Sequence, residues 1–146
     1  MRKFMLATFV LISFVFITAK ADNDRVIKKE KLPVTAQKFI STHFPGIKIS
    51  YVKEERDFME KNYEVVFTDG SKIEFSRKGE WKEVDCRYTE VPSAIVPDQI
   101  EKYISEHYPN EKVLQIDRNY NSYEVRLSNR LELTFDKNYN ITDIDD

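Results

Sequence analysis

A chain of 146 residues with 33% charged and 13% aromatic side chains can bury the core of one large domain or two small ones. Its net charge of -2 argues against a phosphate-tracking nucleic-acid binder, which would carry a clustered basic surplus. The single cysteine, Cys86, excludes an intrachain disulfide, so stability must come from an ordinary hydrophobic core.

In chain order, Arg2 and Lys3 precede an apolar run from Phe4 to Ile17, and Ala19, Lys20 and Ala21 form a small-x-small cleavage pattern. Residues 1–21 therefore read as a secretory signal peptide. The run is shorter than the roughly 20 apolar residues a membrane span needs. The expectation is a mature chain that begins at Asp22, is periplasmic or secreted, and has no membrane span after cleavage. Residues 22–31 are charged and aperiodic and are expected to form a flexible N-terminal tail.

Pro33 then opens a helix, where its missing N–H costs nothing. Ala36, Phe39, Ile40 and Phe44 share one helical face, and Pro45 with Gly46 ends it. Such a short helix is not stable alone and must lie on something. Alternating apolar residues supply it: Ile47, Ile49 and Tyr51; Tyr63, Val65 and Phe67; Ile73 and Phe75; then Trp81 to Cys86. Asp69 with Gly70 and, later, Gly79 supply the turns between the last three strands. Glu54 to Lys61 reads as a charged connection.

The pattern then repeats. Pro97, Lys102, Ile104, Ser105, His107 and Pro109 match Pro33, Lys38, Ile40, Ser41, His43 and Pro45. Ile100, Tyr103, Ile104 and Tyr108 form the second apolar stripe. Strands follow at about Lys112–Arg118, Ser122–Leu127, Leu131–Phe135 and Asn140–Ile144. Internal repetition of this kind sets the architecture. The fold class is α+β: a tandem repeat, 32–88 and 89–146, of a helix plus a four-stranded antiparallel meander. In each unit one face of the meander is expected to bury against its helix.

Alternation assigns Tyr63, Val65, Phe67, Ile73, Phe75 and Val84 to the helix side. It sends Glu64, Val66, Lys72, Glu74, Glu83 and Asp85 to the open face, with Glu124, Arg126, Glu132, Thr134, Ile141 and Asp143 in the second unit. Trp81 and Val84 are three apart, so Trp81 stands on the open face unless a bulge returns it to the core. His43 and His107 occupy matched positions at helix C-termini, where a structural role is simplest. Glu64 with Glu83, the acidic C-terminus and Cys86 lack the geometry or motif that catalysis or calcium binding needs. No catalytic residue, metal site or cofactor is assigned.

The helix-then-meander unit, with Leu32, Pro33, Phe39, Phe44, Pro45 and Gly46, then Tyr63, Asp69, Gly70, Gly79, Trp81 and Val84, resembles the PepSY-like, beta-lactamase-inhibitor-like proteins secreted by gut Bacteroidetes. The resemblance implies paired helix-plus-four-strand modules, joined into one extended curved sheet with the helices on one face, in an exported protein without established enzymatic activity. Asn110, the Ser128 to Arg130 turn and Ile141 depart from the first copy.

The reading is a non-catalytic extracytoplasmic binding module, inhibitor-like in one version. It engages an envelope protein or peptide through the open sheet face, with Trp81, Tyr51 and Tyr120 as aromatic anchors beside Glu83 and Arg126. Direct beta-lactamase inhibition rests on fold analogy alone. The alternative is a small-ligand or cation sensor using the acidic open face.

Overall fold

The computed structural model describes residues 23–146; the expected signal peptide lies outside them. Nine strands form a single antiparallel sheet in sequential order: β1 (Arg25–Ile27), β2 (Ile49–Arg56), β3 (Lys61–Phe67), β4 (Lys72–Phe75), β5 (Trp81–Asp85), β6 (Val113–Arg118), β7 (Ser122–Leu127), β8 (Glu132–Asp136) and β9 (Ile141–Asp145). Helix α1 (Val34–His43) precedes β2, and α2 (Asp98–His107) precedes β6.

The sheet is organised by rungs that cross it at right angles to the strands. One rung places Ile27, Val52, Val65, Ile73, Val84, Ile116, Val125, Leu133 and Ile144 side by side, one aliphatic residue from every strand. Its seven central members, Val52 to Leu133, are buried, and only the two edge strands leave theirs accessible. Both helices lie on this face. Phe39 meets Phe75 edge-on at 5.6 Å and Phe44 stacks on Phe67 at 5.4 Å, while Tyr103 meets Phe135 edge-on at 5.4 Å. Ala36, Ile100 and Ile104 complete one continuous core with the sheet. Burying each large side chain contributes roughly 1.5–3 kcal/mol.

Helix boundaries follow the expected signals. Pro33 and Pro97 each precede a first helical residue, and their carbonyls accept the amides of Gln37 and Glu101. Gly79, in the β4–β5 turn at φ +83°, sits against the first turn of α1. A Cβ there would approach Pro33 Cβ to 2.8 Å and Ala36 N to 2.9 Å. Only glycine permits that contact without displacing the helix.

The structure departs from the sequence reading in four places, the first being the expected charged connection from Glu54 to Lys61, of which Glu54 to Arg56 end β2 and Lys61 opens β3. Within the expected flexible tail, Arg25–Ile27 forms β1 and pairs with Val52–Glu54. Register shifts between Glu74 and Phe75, and between Thr134 and Phe135, place Trp81 opposite Phe75 and Ile141 opposite Phe135. Trp81 and Ile141 are therefore on the helix side, packed against the core, and not on the open face. A bulge inserts one residue into the period-two pattern and reverses the face of everything beyond it.

Glu54 explains why β1 is held. Its side chain is 4% exposed and meets Arg25 at 3.1 Å, Arg56 at 2.8 Å and Lys61 at 3.0 Å. Burial alone would raise its carboxyl, but hydrogen bonds from Lys61, Arg56 and Arg25 outweigh that and hold it at about 2. An acid depressed in the fold contributes stability above its unfolded value of 4.5, and that stability is lost as pH falls toward 2. The three cations are themselves partly exposed, which screens the pairs. Glu54→Gln is expected to destabilise the protein by about 1–2 kcal/mol at pH 7. Urea denaturation should show the wild-type advantage vanishing between about pH 4.5 and pH 2.

Candidate binding surface

Because successive residues of a strand point to opposite faces, the aliphatic rung fixes what stands on the other side. One open-face rung runs Val26, Lys53, Glu64, Glu74, Glu83, Asp117, Glu124, Thr134, Asp143. The next runs Tyr51, Val66, Lys72, Asp85, Gln115, Arg126, Glu132, Asp145. Five carboxylates, Glu64 to Glu124, thus stand on adjacent strands roughly 4.8 Å apart.

The two halves of this face are compensated differently. Over β2–β5, Lys53 lies 2.7 Å from Glu55 and 3.9 Å from Glu64, Lys72 3.3 Å from Glu83, and Lys82 3.5 Å from Glu74. Over β6–β9, Arg126 is the only cation on the two rungs, and it faces back to Asp85 at 3.3 Å. Gln115 donates to Asp117 at 3.0 Å and to Glu83 at 3.3 Å. Asp117 is partly buried, and no cation pairs with it among the described residues. Burial first, then the charges of Glu83, Glu124 and Glu132, push its carboxyl up to about 6 against the hydrogen bond from Gln115.

The five residues singled out from sequence fall into two places. Tyr51, Glu83 and Arg126 share the open face, with Tyr51 exposed near the β1 edge. Trp81 and Tyr120 come together at one end of the sheet, lining a cleft of about 420 Å³ with Arg118 and Tyr123. The Arg118 guanidinium lies 4.4 Å from the Trp81 ring centre, and its Nε and Nη2 donate to the Trp81 carbonyl at 3.1 and 2.7 Å. Trp81 is therefore committed to joining β5 to β6, while Tyr120 in the β6–β7 turn is 97% exposed. Sequence reasoning passed over Asp117 and Gln115, although alternation from Ile116 identifies their face. It also passed over Phe58 and Met59, exposed at the β2–β3 hairpin tip within the expected charged connection.

The groups considered for chemistry are placed as follows. Cys86 is buried, and its thiol is pushed up to about 11 by burial and by the nearby charges of Asp69 and Asp85, the reverse of an activated nucleophile. His43 packs on Phe39, and His107 stacks on Tyr103 with Nδ1 2.9 Å from the Tyr103 carbonyl. Among the described residues, no three His, Cys, Asp or Glu side chains converge to hold a metal ion. No described helix is long and apolar enough to cross a membrane.

With this geometry in view, the chain's relatives can be identified. Residues 61–143 match the family described as "Putative beta-lactamase-inhibitor-like, PepSY-like". The chain belongs to this PepSY-like family. A "putative periplasmic protein" from Bacteroides vulgatus is 50% identical with a TM-score of 0.84, over 86% of this chain and 99% of the other. A "putative calcium-regulated periplasmic protein" from Bacteroides thetaiotaomicron is 50% identical at TM-score 0.83, over 84% of this chain and 97% of the other. A second Bacteroides vulgatus protein, of unknown function, is 40% identical at TM-score 0.80, over 84% and 99% of the two chains. No curated protein matches. Like these relatives, the PepSY-like chain is an extracytoplasmic, periplasmic protein.

Asp117 yields a pH-dependent prediction. An acid raised in the fold opposes folding when ionised, so its cost begins above its usual value of 3.8 and is complete above about 6. Asp117→Asn should therefore be more stable than wild type by about 1 kcal/mol at pH 7–8, after allowing for solvent screening. At pH 3.5 thermal denaturation should show no difference.

Proposed function

We propose that the protein is a non-catalytic extracytoplasmic binding module whose working surface is the open face of the sheet. The occupant that fits this face is a cationic segment of an envelope protein or peptide. The observation that carries this reading is the charge of the two open-face rungs. They hold nine carboxylates against Lys53, Lys72 and Arg126, in a chain whose net charge is only -2. Complementary charge across an interface steers encounter and fixes register. Tyr51 supplies an exposed aromatic on the same face, and Arg126 a donor for a partner carbonyl. Inhibition of an extracytoplasmic enzyme is one form such binding takes.

The proposal includes the organisation read from the sequence: a leader over residues 1–21 and a duplicated helix-plus-four-strand unit over 32–88 and 89–146. Two successive α-then-four-strand segments in one sheet support the duplication.

A second reading, cation sensing, draws on the relative described as calcium-regulated and on the uncompensated carboxyl of Asp117. Against it, the carboxylates run in a line across strands. Calcium prefers six to eight converging oxygens.

Calorimetric titration separates the two. Decalysine at low ionic strength should bind, and the triple variant Glu83→Gln, Asp117→Asn, Glu124→Gln should weaken it by about tenfold or more. Removing Glu30, Glu90 and Glu106 should leave it unchanged. Absence of peptide binding, or indifference to the open-face triple variant, would defeat the proposal. Calcium binding abolished by that variant, without peptide binding, would establish the sensor instead.

A further inference from the structure

On the helix side, remote from the acidic rungs, α1, the turn before it and the start of β2 enclose a groove of about 820 Å³. Its walls include Leu32, Ile40, Phe44, Ile47 and Ile49. Val34, at the groove, is 79% exposed. Lys29, Lys38 and Lys48 stand around it, and all three are exposed. Among the described residues none of these three has a carboxylate within salt-bridge distance.

The second half provides an internal comparison. Beside α2 the equivalent position holds a cavity of only about 310 Å³, bordered by Val96, Ile104, Tyr108 and Val113. Its charged residues are Glu90, Glu101 and Glu111, opposite in sign to the first groove. Lys102, which matches Lys38, is 3.9 Å from Glu106. A helix lying on a sheet therefore does not by itself produce a large apolar groove with unpaired cations. The first half has this feature and the second does not.

An apolar trough with a few convergent polar groups, and a volume of a few hundred Å³ or more, is the usual form of a small-molecule site. Three unpaired ammonium groups beside an aliphatic floor complement one ligand chemistry, a carboxylate carrying an alkyl chain. We propose that the α1–β2 groove binds a free long-chain carboxylate, its alkyl chain against Leu32, Ile40, Phe44 and Ile49 and its head group among Lys29, Lys38 and Lys48. A concave trough suits a single chain lying inside it, with Val34 and Ile47 at its accessible rim.

The test is calorimetric titration of the purified protein with dodecanoate below its micelle concentration. One equivalent should bind, with affinity falling about fourfold for each methylene removed on going to decanoate and octanoate. Lys38→Glu with Lys48→Glu should weaken binding by about tenfold or more, as should Ile47→Asp at the exposed groove wall. Circular dichroism would establish that these surface variants stay folded. Glu101→Lys, beside the smaller cavity, should leave binding unchanged. The proposal is overturned if dodecanoate does not bind, if dodecyltrimethylammonium binds equally well, if affinity ignores chain length, or if only phospholipid vesicles are bound. None of these outcomes depends on whether the open face takes a cationic partner.

Discussion

The aliphatic rung from Ile27 to Ile144 is the constraint on which everything else in the molecule rests. A strand contributes to it only in one register, because a slip by one residue would turn every side chain to the opposite face. Once Val65, Ile73, Val84, Ile116, Val125 and Leu133 are buried side by side, Glu64, Glu74, Glu83, Asp117 and Glu124 must also stand side by side, on the solvated side. The acidic rung is thus not an independent feature. It is the obligatory reverse of the core, and changing the register to relieve its repulsion would expose the apolar residues.

The same geometry shows where the sheet's pairing is shortest. Between β5 and β6 the ladder is three residue pairs long, Glu83 to Asp117, Val84 to Ile116 and Asp85 to Gln115. The seam is reinforced by Arg118 on the ring and carbonyl of Trp81, and by main-chain bonds from Cys86 to Leu114 and from Val91 to Val113. At the β1 edge, a three-residue strand is held by Arg25 on Glu54 and by Ile27 against the core. Asp117 lies at the first seam, where burial first and then the charges of Glu83 on β5 and Glu124 on β7 raise its carboxyl.

Much of the α+β architecture was legible from periodicity, since the alternation in Tyr63–Phe67 and Tyr123–Leu127 and the stripe of Ile100, Tyr103 and Ile104 admit few other folds. Turn residues marked the hairpins for the same reason. Alternation puts Ile141 on the open face, and Trp81 too unless a bulge intervenes; both are reversed because a bulge is decided by the partner strand and leaves no trace in local alternation. Nor was β1 readable, since Arg25–Ile27 is too short to show a period and is held by Glu54, about thirty residues away in sequence. The charged rung could be read strand by strand. Its continuity through β6 required the order of the sheet, which placed Asp117 between Glu83 and Glu124. The α1–β2 groove required three-dimensional proximity of Leu32, Ile40 and Ile49, which sequence spacing does not encode.

That the reverse of the core is the working surface can be tested directly by following the amide resonances of nitrogen-15-labelled protein as decalysine is added at low ionic strength. If the open face is the site, shifts will concentrate at Glu83, Gln115, Asp117, Glu124 and Arg126, with α1 and α2 unmoved. Shifts centred on the helices, or none at all, would contradict it.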